Sequence, residues 1–556
     1  MVSNASVFEP FISHIMKAYR SLILILTITL SAFIAYGLFT MPSPKDIDEE
    51  GFSSERVVKD LEVIAREPHS VAHPEARDRL LDYLTKRLEE LGGTPQTYVY
   101  PNITSRKFTF DAKNLLAEFP PLRTSEDTTY LLLMAHHDSR YPWKLMGDTV
   151  TAMGAIDDGY GLGVILESVN QALKYRKDWN QGIKVLFTDA EEVDLQGMKA
   201  AHTYNKEIFD NVGLILNIEA RGPFGPALLF ETSPGNERLV KLYADHARYP
   251  FGYSITNAVY QQMPNGTDFN IVRDSIPGLN FSPVEDINHY HTDLDNIHNI
   301  SEKTIQHYGE QIMPIMQEYL TNKDYADKRY FLAEEDVVYF CIPLLGTFHF
   351  SKNHYGLLNV GVFFLLLHLL FRARNLSWKA TLKESGVAIA LSLAPVVVGE
   401  IIAWLSAMLV GARFRLFGTV QGIPFDNALM LVSVLLLGVG MIRYYRCNLY
   451  SSLFTLMILS LVFLLTAGEN MMFFIPLCIG TLSLMLWEAT SFRIFPLLGV
   501  FLILLHAFSF VYVIAMALTI GALGLVLLVA FYDLLVIIPL AKGYLTGRAS
   551  SQKPWP

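Results

Sequence analysis

The stretch Tyr130-Leu-Leu-Leu-Met-Ala-His-His-Asp138 decides the fold. Its opening residues, Tyr130 to Ala135, form a continuous apolar run, short and bounded by polar residues, as in a strand buried on both faces. His136 stands at its end. Similar runs recur at Ile183–Thr188, Val212–Ile218, Ala227–Phe230 and Gly278–Phe281, with helical patterns between them. Ahead of them, Pro74 to Gly92 places Leu80, Leu81, Leu84, Leu88 and Leu91 at helical spacing and ends on a glycine pair. This alternation predicts an α/β fold with a mostly parallel central sheet covered by helices. In such sheets functional groups collect at the carboxyl ends of the strands, where His136, Glu191 and Glu219 fall.

Of the 556 residues, 51% are hydrophobic, too many for a wholly soluble protein, and the chain is too long for one ordinary domain. A net charge of −10 without any long Lys/Arg block excludes a nucleic-acid partner. Cys341, Cys447 and Cys478 lie outside the stretch from His136 to His291, so a metal held there must be held by histidine and carboxylate.

Ser21 to Phe39 is an uncharged apolar run behind Lys17 and Arg20, long enough to cross a hydrocarbon core of roughly 30 Å. Residues 1–45 are expected to form a cytoplasmic N-terminus and transmembrane anchor, 46–330 a globular domain, and 331–355 a connector with an ambiguous apolar stretch at Val337–Phe350. Residues 356–556 are expected to form an all-α membrane bundle of about seven helices. The candidate spans are Gly356–Phe371, Gly386–Val410, Phe425–Ile442, Ser452–Thr466, Met471–Trp487, Pro496–Ile520 and Gly521–Leu540. If each crosses once, Lys17, Arg20, Arg372, Arg374, Lys379, Lys383, Arg443, Arg446, Arg493, Lys542 and Arg548 share one side, with Arg413 and Arg415 as exceptions. That side is expected to be cytoplasmic, which puts the globular domain outside the cytoplasm. Within the spans, Glu400, His368, His506 and Asp533 are costly in lipid; packing pairs or interfacial placement account for them as well as function does.

The globular part sets out His136, Asp157, Glu191, Glu192, Glu219 and His291 in order. Two metal ions about 3.5–4 Å apart need one shared carboxylate and others to close each shell. Zinc accepts such nitrogen and oxygen ligands and leaves a position open for water. A further carboxylate must shuttle the proton, and the tandem Glu191-Glu192 can supply both a base and a ligand. Taken singly, His137, His289 and His298 read as structural histidines, Glu191 and Glu192 as a solvated helix start, and Asp158 as a turn residue or one that supports the ligands from behind.

Ala135-His-His-Asp-Ser139, Gly154-Ala-Ile-Asp-Asp-Gly159, Thr188-Asp-Ala-Glu-Glu192, Asn217-Ile-Glu-Ala220 and Tyr290-His-Thr292 together resemble the co-catalytic zinc exopeptidases of the aminopeptidase kind. The resemblance covers roughly Glu50 to Leu320. It implies that two Zn2+ ions are bound by His136, Asp157, Glu192, Glu219 and His291, with Asp157 bridging, Glu191 as general base and Asp138 orienting His136. Asp268 and Asp295 would be supporting groups. Glu219 stands where many relatives have Asp, and Tyr160, in place of a serine common among relatives, is expected to shape the pocket. Anchor, catalytic domain and trailing bundle are together similar to the membrane-bound members of the endoplasmic reticulum and the vacuole. The end of the chain at Pro556, without a further luminal domain, points to a bacterial member.

The expectation is a multi-pass membrane exopeptidase that hydrolyses peptides outside the cytoplasm through a two-metal-activated water. In a bacterium the domain would face the periplasm or the exterior; the alternative is an endoplasmic-reticulum or vacuolar membrane with a luminal domain. Competing readings are a single-zinc glutaminyl cyclase, a non-catalytic receptor, and a transporter accessory.

Overall fold

The computed structural model describes residues 5–38, 41–125, 127–145, 147–261, 266–342, 345–373, 376–423, 425–445 and 448–547. Arg374, Arg446, Cys447 and Arg548 lie outside the described residues. The chain divides into two compact units, one of Phe39–Cys341 with Leu345–Lys352, the other of Met1–Leu38, Ile342–Leu344 and Asn353–Pro556.

The first unit is built on a seven-stranded sheet in the order β1-β2-β6-β3-β7-β9-β8. Its strands are β1 (Thr94–Ser105), β2 (Phe108–Phe119), β3 (Tyr130–His136), β6 (Gly182–Thr188), β7 (Val212–Ile218), β8 (Leu228–Thr232) and β9 (Gly278–Ser282). The short pair β4 (Trp143–Leu145) and β5 (Asp148–Val150) forms a separate antiparallel hairpin. Strands β6, β3, β7 and β9 run parallel, as the apolar runs predict. The outer strands β1, β2 and β8 pair antiparallel, so the sheet as a whole is mixed.

Strand periodicity sorts the side chains. Leu131, Leu133 and Ala135, with Val185, Phe187, Leu214 and Leu216, enter one apolar cluster; Leu132, Met134, Leu186 and Ile215 enter another. The first cluster is closed by α2 (Ser54–Ile64), α3 (Pro74–Glu90), α4 (Gly159–Ala172), α6 (Glu237–His246) and α9 (Glu302–Thr321); α5 (Gln196–Tyr204) and α8 (Phe269–Val272) close the second. By the same alternation His136, Thr188 and Asn217 point to the second face, and Glu219 follows β7 in phase with them. Register aligns their ends: His136 lies opposite Thr188, Met134 opposite Asn217, and Asn217 opposite Asn280. The remaining helix, α7, spans Ser254–Tyr260. Val337–Phe350 is a hairpin of β10 (Val337–Ile342) and β11 (Gly346–Ser351), whose strands are too short to span a bilayer.

The second unit contains α1 (Ala5–Leu38), α10 (Lys352–Arg372), α11 (Trp378–Val410), α12 (Asp426–Tyr444), α13 (Leu449–Ala467), α14 (Met471–Thr490), α15 (Ile494–Leu518) and α16 (Leu523–Thr546). Each contains or forms part of a stretch long and apolar enough to cross a membrane. The last stretch, Ile494–Thr546, is broken at Thr519–Ala522 into helices of 25 and 24 residues that pack on each other. Either alone can cross a bilayer. Helices α11 and α16 approach so closely that a Cβ on Gly399 would lie 2.6 Å from the Gly524 nitrogen, a contact only small residues allow. Glu400, His506 and Asp533 are buried, whereas His368 is exposed.

Candidate metal centre

The sheet delivers His136 at the end of β3 and Glu219 just beyond β7. Loops deliver the rest: Asp157 and Asp158 before α4, Glu191 and Glu192 in a 3-10 turn after β6, and His291 in the segment after β9. The Asp157–Asp158 peptide is cis.

Asp157 sits between the two histidines. Its Oδ1 lies 3.1 Å from His136 Nε2 and its Oδ2 3.1 Å from His291 Nε2. His291 Nε2 also lies 2.8 Å from Glu192 Oε1, while His136 Nε2 stands 3.9 Å from Glu219 Oε2. Ligand-type atoms of Asp157, Glu192 and His291 form one group within 4.8 Å of one another, and those of His136, Asp158 and Glu219 form another.

The donor set fits a metal. Asp157 Oδ2, Glu192 Oε1 and His291 Nε2 are buried and close, yet none is in hydrogen-bond geometry with a partner. Atoms that face a common point rather than one another are arranged as ligands of a cation. Charge leads to the same conclusion, because Asp138, Asp157, Asp158, Glu192, Asp268 and Asp295 are almost fully buried, with Glu219 barely more open. Acids crowded in this way are expensive unless cations neutralise them.

The strain is visible in their proton affinities. Burial pushes the Glu191 carboxyl well above its usual range; His136 works against this, and Glu219, Glu192 and Asp268 add to it. Burial, with Asp157 and Asp268 nearby, pushes Glu219 up to about 8, and burial raises Asp268 to about 6. Burial would lower the His136 imidazole, but Asp138 and Asp157 bonded to it raise it well above the ordinary value. Asp157 moves the other way: burial would raise it, but the two histidines beside it outweigh that and lower it.

A second layer holds the ligands. Asp138 accepts the backbone N–H of Glu191 through Oδ1 (2.9 Å) and that of Glu192 through Oδ2 (3.3 Å), and its carbonyl lies 2.9 Å from His136 Nδ1. One residue therefore orients both the first histidine and the Glu pair. Arg140 donates to Glu192 Oε2 at 2.8 Å, leaving Oε1 to face His291. His291, at φ +61°, stacks on Tyr290 with ring centroids 3.6 Å apart, and its carbonyl accepts from Trp143 Nε1 at 2.7 Å. Asp295 accepts the Ile156 N–H at 2.7 Å, fixing the turn that carries Asp157. Thr188 Oγ1 donates to Asp268.

The structure thus brings His136, Asp138, Asp157, Glu191, Glu192, Glu219 and His291 into one centre. His137, bonded to the Lys113 carbonyl, His289, packed on Phe224, and the exposed His298 belong to neither ligand group among the described residues. Tyr160 does not open onto a pocket: it is fully buried, donates to the Pro223 carbonyl and accepts from the Ser301 N–H. Asp158, read from the sequence as a turn or supporting residue, accepts the Gly161 N–H as the cap of α4 and also faces His136 and Glu219, a place in the ligand group that the sequence did not give it. Sequence reasoning passed over Arg140, whose only signal was its place directly after the His-His-Asp-Ser motif.

Residues 114–316 match the sequence profile of peptidase family M28. The chain carries a peptidase family M28 domain. This M28 domain is similar to that of endoplasmic reticulum metallopeptidase 1 of Mus musculus, at 29% identity over 43% of this chain and 24% of that protein. It is also similar to the vacuolar membrane protease of Candida dubliniensis, at 28% identity over 45% of this chain and 26% of that protein. The chain spans about a quarter of the length of the first curated relatives it matches. Among solved structures, a zinc-dependent exopeptidase from Parabacteroides distasonis aligns with a TM-score of 0.38 and 17% identity, over 49% of this chain and 99% of its own. A glutaminyl cyclase from Porphyromonas gingivalis aligns with a TM-score of 0.37 and 20% identity, over 48% and 99%.

Proposed function

We propose that the M28 domain is a two-zinc exopeptidase of the aminopeptidase type, tethered to a membrane and acting on peptides outside the cytoplasm. The observation that carries this reading is the pair of ligand groups that meet at Asp157 and Asp158, with Glu191 beside them. Glu192 and His291 would hold one ion, His136 and Glu219 the other, and Asp157 both. Bound zinc would polarise the scissile carbonyl and acidify water. Glu191 takes the proton from the attacking water and returns it to the leaving amine, a role that needs a carboxylate outside the ligand shells. Asp138 keeps Glu191 in place through its backbone N–H. The basic residues Lys17, Arg20, Arg372, Lys379, Lys383, Arg443, Arg493 and Lys542 cluster at alternate helix ends, which supports an exterior M28 domain.

The test is aminoacyl and dipeptide hydrolysis by the full chain, with zinc counted in parallel. Glu191→Gln should lower the turnover about a hundred- to ten-thousandfold while zinc is retained. Undiminished turnover in that variant would remove Glu191 from the mechanism.

A second reading, a single-zinc glutaminyl cyclase, is favoured by one feature: Asp157, Glu192 and His291 stand at 2.8–3.1 Å, whereas His136 and Glu219 are 3.9 Å apart. One zinc per chain, with cyclisation of N-terminal glutamine and no peptide hydrolysis, would establish it.

A further inference from the structure

We propose that Arg20 and Arg493 form a binding site for the phosphate of an anionic lipid at one end of the helical unit. Arg20 lies on α1 directly before the apolar run that starts at Ser21, and Arg493 is the N-cap residue of α15. Arg20 Nη1 donates to the Leu545 carbonyl at 3.4 Å, and Arg493 Nη1 donates to the carbonyls of Tyr544 and Leu545 at 3.4 and 3.3 Å. Two guanidinium groups from different helices therefore meet at one acceptor in the last turn of α16.

A single cation on a helix C-terminus is ordinary capping. A second on the same carbonyl adds little to the cap and brings like charges together. Among the described residues, no carboxylate pairs with either arginine; their hydrogen bonds run to those carbonyls alone. Each guanidinium has five N–H donors, so most remain available. Arg493 Nη2 lies close against Gly547, where a Cβ would stand 2.2 Å from it, so the approach depends on glycine.

The position identifies the anion. Arg493 and Leu545 lie at the ends of long apolar helices and Arg20 near the start of the apolar span Ile15–Gly37, the depth at which lipid headgroups lie when such helices cross a bilayer. Both arginines are half-buried. Guanidinium matches two phosphate oxygens at once. A phosphodiester with net negative charge fits the site; a zwitterionic headgroup brings its own cation into a site that already holds two.

The experiment is native mass spectrometry of the delipidated full chain in detergent, titrated with phosphatidylglycerol, phosphatidylcholine or inorganic phosphate. The parent should retain one phosphatidylglycerol in preference to phosphatidylcholine, and Arg20→Gln and Arg493→Gln should each weaken that retention about fivefold. Lys542→Gln, at an exposed lysine near the same helix end, should bind like the parent. Arg493 also ties down the α16 terminus, so Arg20→Gln, which removes one long hydrogen bond, is decisive, with its melting temperature measured without lipid to confirm an intact fold. Equal retention by the parent and Arg20→Gln would overturn the site. An equal loss in Lys542→Gln would reduce it to general surface charge, and inorganic phosphate displacing the lipid at matched concentration would assign the site to a soluble anion.

Discussion

The two halves of the metal centre are assembled differently. His136 and Glu219 extend from β3 and β7, neighbouring strands of a rigid sheet, and Asp158 caps a helix. Strand spacing of about 4.8 Å fixes how far apart such side chains start, and here they stop at 3.9 Å. Asp157, Glu192 and His291 all come from loops, and the loops fold inward until their ligand atoms stand at 2.8–3.1 Å. The sheet supplies position, while the loops supply closeness at the cost of extra supports: Arg140, Trp143, Tyr290 and a left-handed His291. The strand-built half should therefore hold its ion by rigidity, and the loop-built half by its second layer.

Asp157 joins the halves, and removing its charge should have the largest effect. Asp157→Asn is expected to empty both ion positions and to lower peptide hydrolysis by more than about a hundredfold, beyond the usual loss from a supporting residue. Zinc counting on the purified variant checks this. Retention of both ions would show that the halves are independent and that Asp158 does the bridging.

The contrast also explains what could be read in the sequence. The parallel strands were legible because burial on both faces makes them continuous apolar runs, and His136 and Glu219 because they stand where those runs stop. The β1–β2 hairpin was not. It lies at a sheet edge, β1 is mostly exposed, and Pro95, Pro101 and a left-handed Asn102 interrupt its alternation. The α15–α16 break falls at Thr519-Ile-Gly-Ala522, where the candidate spans Pro496–Ile520 and Gly521–Leu540 also divide; the sequence does not show what holds it, the exchange of hydrogen bonds between Thr519 Oγ1 and the Val420 backbone. The contact of Asp158 with the ligands and the role of Arg140 went unread because both depend on which loop folds against which, and no local pattern encodes that.

Removing the metals should expose how strongly both halves depend on them. In the metal-free centre Glu219 and Asp295 titrate at about 8, and His136 and His291 are raised. Each of these groups holds a proton in the folded state that the unfolded chain has already released. Their contribution is full below the unfolded values, near 4 for the acids and 6.5 for the histidines, and is lost as pH rises through the folded values. Chelated protein should thus lose stability as pH rises from about 4 to about 8, on the order of 1.4 kcal/mol per pH unit for each of the two acids, with the histidines adding to the loss above about 6.5. Zinc-loaded protein should not, because its cations replace those protons. Thermal melts with and without chelator at several pH values measure it, and parallel curves would show that the acids are not relieved by metal.

Arg140 separates the halves more finely. Its bond to Glu192 Oε2 serves only the loop-built side, so Arg140→Ala should weaken one of two zinc ions by about 10–100-fold and leave the other unchanged. Competition with a chromophoric chelator resolves the two affinities, and an equal shift in both would mean that the second layers are shared.

Trp143→Phe makes the gentlest cut. It keeps an aromatic ring over the second apolar cluster and removes only the Nε1–H that holds the His291 carbonyl at 2.7 Å. Such a bond contributes about 1 kcal/mol. His291 has a left-handed backbone, which a non-glycine residue keeps only when its surroundings hold it there, and Tyr290 stacking is the other restraint. Losing one of the two should loosen the imidazole and weaken the loop-side zinc about fivefold, with the strand-side zinc unaffected. A change confined to melting temperature, with both zinc affinities intact, would show that Trp143 supports the loop without orienting the ligand, and would leave the closeness of the loop-built half to Arg140 and Tyr290.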